Sequence, residues 1–100
     1  MDTMENVSFP EDLLPGIYRT LVELGRCYLA AGKLGEAQHC YEKAAVVAPD
    51  EAAPYVGLGL IALENSNLSD AEIAFKVARR LDSRCAEAYC GLGTVYHRRE

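Results

Sequence analysis

The chain reads as an all-α stack of antiparallel helix hairpins, about two and a half repeats long, and three observations predict this. Leu24-Gly25-Arg26-Cys27-Tyr28, Leu58-Gly59-Leu60-Ile61-Ala62 and Leu92-Gly93-Thr94-Val95-Tyr96 are one structural phrase written three times, thirty-four positions apart. A fixed period of that length marks stacked helix-turn-helix units and not a single enclosed core. Apolar trios recur at separations of three and four, the spacing that places side chains on one helical stripe. Turn-forming clusters fall at the same phase of the first two periods.

Residues 1–17 belong to no repeat and are expected to form an acidic N-terminal arm or a short capping turn. Pro10 and Pro15 bracket Glu11-Asp12-Leu13-Leu14, one helical turn leading into the first long helix. Phe9, Leu13 and Leu14 are suited to covering the open N-terminal edge of the stack. The first repeat spans 18–51, the second 52–85, and 86–100 is the first helix of a third.

The first helix of each repeat carries its stripe at Leu21, Leu24 and Tyr28, at Tyr55, Leu58 and Ala62, and at Tyr89, Leu92 and Tyr96. The glycine after each leucine costs roughly 1 kcal/mol of helix propensity against alanine. Its recurrence marks a position where a neighbouring helix comes too close for a side chain. Gly32-Lys33-Leu34-Gly35 and Asn65-Ser66-Asn67-Leu68-Ser69-Asp70 supply the turns. Second helices follow, from about 36 to 48 and from about 70 to 81. Ala37, Tyr41 and Ala44, and Ala71, Phe75 and Ala78, face inward; small-large-small lets two helices approach with an aromatic filling the gap. Pro49 closes the first hairpin because proline cannot continue a helix. Ser83 holds that phase in the second repeat, so a softer break is expected there.

Half of the 100 residues are apolar and a quarter are charged, a globular composition. No apolar run approaches the roughly 18 residues that a membrane span needs. The start MDTMENVSFPEDLL lacks the basic and apolar segments of a secretory signal, so a cytoplasmic location is expected. The net charge of −5 is uneven: Asp2, Glu5, Glu11 and Asp12 lie in the first seventeen residues with no basic partner. The remainder has ten basic against eleven acidic side chains. Nucleic-acid binding needs a basic face, and the chain has none overall. Cys27, Cys40, Cys85 and Cys90 show no metal-site spacing and read as reduced, small packing residues at helix contacts.

With these residues laid out, the chain resembles the tetratricopeptide repeat family over 18–100. Leu21, Leu24, Gly25, Tyr28, Ala37, Tyr41, Ala44 and Pro49 stand at the family's eight signature positions, with leucine where tryptophan is common. The second repeat keeps Tyr55, Leu58, Gly59, Ala71, Phe75 and Ala78, but has Ala62 for the usual aromatic and Ser83 for proline. The third offers Tyr89, Leu92, Gly93 and Tyr96. The resemblance implies a right-handed superhelix, an α-solenoid, whose first helices line a concave groove.

It also implies where a partner sits. The groove positions are Arg19, Val22, Arg26 and Leu29 in the first repeat, Val56, Leu60, Leu63 and Glu64 in the second, and Cys90, Thr94, His97 and Arg98 in the third. The lysine and asparagine with which some family members clamp acidic chaperone tails are replaced here by Val22, Arg26, Val56, Leu60, Cys90 and Thr94, so the resemblance does not extend to that clamp. What remains is an apolar strip of Val22, Leu29, Val56, Leu60 and Leu63 flanked by Arg19, Arg26, His97 and Arg98. Exposed aliphatic side chains on a concave surface mark an interaction site. The expected ligand is a protein or peptide segment with two or three apolar anchors and at least one acidic residue. Leu60→Glu and Val56→Glu are both expected to remove binding with helicity kept.

Three alternatives remain open: the arm or a neighbouring copy fills the groove, the chain is a small dedicated chaperone similar to those of type III secretion, or it is a self-assembling fragment of a longer array. The last helix keeps Tyr89, Cys90, Leu92, Val95 and Tyr96 with no polar outer face, which predicts a homo-oligomer through that helix or further repeats. Gly57-Leu58-Gly59 and Gly91-Leu92-Gly93 lie inside helical periodicity, not between a strand and a helix, so they do not read as phosphate loops. His39 beside Cys40 points elsewhere on its helix. No cofactor, metal or catalytic chemistry is expected.

Overall fold

Proline, glycine and asparagine set the limits of the helices. The protein, seen in a computed structural model that describes residues 13–100, forms α1 (Leu14–Ala30), α2 (Leu34–Val47), α3 (Ala53–Glu64), α4 (Leu68–Leu81) and α5 (Ala86–Arg99), with no strand among the described residues. The acidic charges of the arm and Phe9 lie outside them. Pro15 stands in the first turn of α1, where its missing N–H leaves no helical bond unmade. The helix therefore begins at Leu14, and residues 14–17 are helical instead of belonging to the arm. The second helices likewise begin two residues earlier than the periodicity suggests.

Both hairpin turns close in the same way. The Lys33 N–H donates to the Tyr28 carbonyl at 2.8 Å with Gly32 at φ 79°, and the Asn67 N–H donates to the Ala62 carbonyl at 2.8 Å with Ser66 at φ 59°. This is the left-handed C-terminal cap that glycine favours. Asn67 then opens α4: its side chain accepts from the Asp70 N–H at 3.2 Å and donates to the Asp70 carboxylate at 2.7 Å.

The expected softer break after the second repeat is not found. α4 stops at Leu81, the same phase at which α2 stops at Val47. Asp82 accounts for it, because its Oδ1 accepts the Arg84 N–H at 3.0 Å and holds a local turn in competition with the helix. Asp82 thus does what Pro49 does one repeat earlier.

Each helix packs on the next, and α1 also touches α3 as α3 touches α5. Short connections make successive helices antiparallel, and the result is an all-α helical repeat solenoid 51 × 28 × 23 Å in extent. Ala37, Tyr41 and Ala44 of α2, and Ala71, Phe75 and Ala78 of α4, are buried as the small-large-small pattern requires. Leu24, placed on the inward stripe by its spacing, is 42% exposed.

The glycines explain how the layers meet. A Cβ built on Gly25 would stand 2.8 Å from the Tyr41 ring, and one on Gly57 would stand closer still to the same ring. Gly59 and Gly91 enclose Phe75 in the same way, with 2.7 Å at Gly59. One aromatic ring therefore fills the space between α1 and α3, and another the space between α3 and α5. α3 carries a glycine on each of its two flanks. α1 has Gly25 on its inner flank, but the exposed Glu23 at the phase of Gly57 and Gly91. α5 has Gly91 inside and Gly93 outside, and a Cβ on Gly93 would meet nothing within 4 Å.

Candidate functional site

The first helices of the repeats, α1 and α3, and the start of α5 bound a cavity of about 620 Å³. Val22, Arg26, Leu29, Val56 and Leu60 line it together. Arg19 lines an adjoining cavity that shares Val22 and Arg26. Leu63, Glu64, Cys90, Thr94, His97 and Arg98 line neither. The Arg98 guanidinium donates to the Leu63 carbonyl at 3.1 Å, tying α5 to the end of α3, and the Thr94 hydroxyl donates to the Cys90 carbonyl of its own helix at 3.0 Å. Glu64, Cys90 and His97 are exposed.

The apolar strip is not a uniformly exposed surface. Val22, Val56 and Leu63 are buried, Leu29 is half-buried, and Leu60 is 39% exposed. The reason lies in the stacking. Val22 belongs to one apolar cluster with Ile61 of α3, and Val56 and Leu63 belong to another with Leu92 and Val95 of α5. The fifth position of a repeat thus turns inward wherever another first helix follows. Cys90, at that phase of α5, has no such neighbour among the described residues and is exposed. Val22 and Val56 still form part of the cavity floor, and Leu60 is its projecting apolar group.

The electrostatics also depart from the basic rim. Among the described residues lining the main cavity, Arg26 is the one cation, against Glu51, Asp82 and Glu87. Neither His97 nor Arg98 contributes. Glu51 and Cys85, each the last residue of a repeat, and Asp82, in the turn before α5, are members that helical spacing within the first helices does not find, because they come from the connections. Tyr41 also reaches this cavity. Burial raises its phenol pKa above the ordinary value, with the nearby Arg26 acting in the opposite direction. Burial, and then Glu51, raise that of Tyr18 beside the adjoining cavity.

The cysteines divide. Cys40 and Cys85 are buried packing residues, and burial pushes the Cys85 thiol up; Cys27 and Cys90 are exposed, so the packing role expected for all four fails for these two. Outside the groove, Glu72 of α4 gathers three groups. Lys76 pairs with it at 2.8 Å, Arg99 of α5 forms a second ion pair, and the Tyr96 hydroxyl donates to it at 3.2 Å. Hydrogen bonds from Lys76 and Arg99 hold the carboxyl at about 2, well below its usual range.

Among the described residues no group of three or more His, Cys, Asp or Glu side chains could hold a metal ion, and no helix is long and apolar enough to cross a membrane. A family model described as tetratricopeptide repeat matches residues 22–84, more than half of the chain. A search of curated proteins gave no match.

Proposed function

The chain belongs to the tetratricopeptide repeat family, and on that footing we propose that it is a non-catalytic docking module whose concave groove holds a segment of another protein. Repeats of this family generally mediate protein–protein interactions. The observation that carries the reading is Leu60, a large apolar side chain left 39% exposed inside a cavity whose floor includes Val22 and Val56. Fully burying an exposed leucine contributes roughly 1.5–3 kcal/mol, and the part of Leu60 still open to a partner is worth about 1 kcal/mol of that.

The partner segment brings two or three apolar side chains to Leu60, Leu29 and the valine floor. An acidic group of the partner meets Arg26. The carboxylates of Glu51, Asp82 and Glu87 favour a basic residue on the same segment, a requirement that the basic rim implied by the resemblance would not impose.

The test is selection from a displayed peptide library on the intact chain, with the Leu60→Glu variant as the counter-target. The reading holds if the enriched peptides carry apolar anchors with a basic residue and lose binding to Leu60→Glu. Enriched peptides that bind both proteins equally would place the docking surface elsewhere and end it.

A further inference from the structure

Tyr41 has a hydroxyl that its packing role does not use. Phe75 stands at the same phase one repeat on and fills its place with a bare ring. Phe75 lines neither cavity of the groove, whereas Tyr41 lines the main one. The ring atom nearest a Cβ built on Gly25 is Cζ, at 2.8 Å, and Cζ is also among the nearest to Gly57. Because Cζ bears the hydroxyl, the polar tip stands between α1 and α3 and enters the trough. Tyr41 is 3% exposed. Its hydroxyl nevertheless has no hydrogen-bond partner among the described residues and is not sealed from the cavity. The hydroxyls of Tyr89 and Tyr96, by contrast, donate to the Ser83 carbonyl and to Glu72. Arg26 lines the same cavity and acts on the phenol electrostatically. One repeat on, the positions of Tyr41 and Arg26 hold Phe75 and Leu60. The first layer thus has both polar groups and the second has neither.

Building on the docking role proposed above, we infer that the Tyr41 hydroxyl and the Arg26 guanidinium together take the carboxylate of an Asp or Glu side chain of the bound segment, with Tyr41 as the buried donor that sets specificity. Once a ligand excludes water, a hydroxyl left without a partner is costly, so the occupant has to bring an acceptor. A carboxylate serves both groups, accepting from the hydroxyl and from the guanidinium in bonds stronger than neutral ones. Burial raises the phenol pKa, so the proton to be donated is held at neutral pH. Arg26 has donors to spare, since its contact with Glu23 is a loose 3.8 Å pair between exposed side chains. Asp82 and Glu87, from the end of α4 and the start of α5, repel the acid elsewhere in the cavity. The adjoining cavity continues beyond Arg26, so the segment runs through this point and presents a side chain there, not a chain end.

The probes are fluorescein-labelled peptides selected on the intact chain from a displayed library with a fixed central glutamate. Each is titrated by anisotropy with the wild-type, Tyr41→Phe and Leu60→Glu chains, and again with its glutamate replaced by alanine. Tyr41→Phe should weaken the glutamate peptides by about tenfold and the alanine peptides by less than about twofold. Phenylalanine keeps the ring, as Phe75 does in the second repeat, so the urea midpoint should stay near that of the wild type. Equal losses for glutamate and alanine peptides would make the hydroxyl structural and overturn the inference. Peptides that lose Leu60→Glu but bind the wild-type and Tyr41→Phe chains equally would also overturn it, with the docking role left standing. Peptides that bind all three chains equally, or a library that enriches none, would end both.

Discussion

The ring of Tyr41 on α2 presses on Gly57 of α3 so closely that the glycine has no room for a β-carbon. The contact joins two hairpins, because Tyr41 belongs to the first repeat and Gly57 to the second. Phe75 repeats it between Gly59 and Gly91. Both rings are buried, at 3% exposure for Tyr41 and 0% for Phe75, so a methyl group at these glycines has little room.

That relationship gives two alanine substitutions opposite signs. Gly59→Ala should destabilise the chain by about 1–3 kcal/mol, because the added methyl overfills the contact with Phe75. Gly93→Ala, at the same phase of α5 but with nothing within 4 Å, should stabilise it by up to about 1 kcal/mol through helix propensity. Urea unfolding followed by circular dichroism measures both, and a loss at Gly93 would mean its outer face is already covered.

Two glutamates in the groove should likewise separate. Leu60→Glu changes a side chain 39% exposed and should keep the helical signal while removing affinity for groove-selected peptides. Val56→Glu, expected from the groove positions that the resemblance implies to behave identically, instead places a carboxylate among buried neighbours of α3 and α5. It should cost about 2–5 kcal/mol and lower the thermal midpoint before it reports on binding.

Ser66 holds a left-handed conformation at φ 59° where the equivalent residue of the first turn is Gly32. A side chain there costs roughly 1–2 kcal/mol, part of which glycine returns through its greater freedom in the unfolded chain. Ser66→Gly should therefore raise the stability by about 0.5–1 kcal/mol, read from the urea midpoint at unchanged slope.

The Glu72 cluster sets an acid limit. Its carboxyl titrates at about 2 in the folded chain against an ordinary 4.5, so the folded state binds the proton less readily. A depressed acid contributes its stability above the ordinary value and loses it as pH falls from about 4.5 towards about 2. The stability difference between the wild-type chain and Glu72→Gln should accordingly be full at neutral pH and close across that window. Because the ion pairs are partly exposed, added salt should shrink the difference. A difference unchanged down to pH about 2 would show that the carboxylate charge contributes nothing.

What the residues disclose in advance, and what they hide, follows from whether a property is local. The period, the turns at Gly32 and Ser66 and the close approach at Gly25 and Gly59 are all written in spacing and residue size. The second pair, Gly57 and Gly91, is also legible as packing, but its partner is not: the ring comes from the preceding repeat, a contact that no single helix stripe contains. Val22, Val56 and Leu63 mislead for the same reason. Their phases face outward in an isolated hairpin and inward once the next first helix is stacked. Asp82 and Glu51 escape notice because they enter the cavity from connections, where helical periodicity has no force. Pro15 is read as a boundary, although proline in a first turn is equally compatible with helix.

Tyr41 and Phe75 also act as shims. Each ring is wedged between neighbouring first helices beside the apolar clusters that join them, so its thickness contributes to the pitch of the stack and with it to the width of the trough. A thinner side chain in either place draws the rods together and tightens the curve, at a distance from most of the surface that touches a ligand. Selection on those two rings can therefore retune what the trough accepts while leaving its projecting Leu60 unchanged.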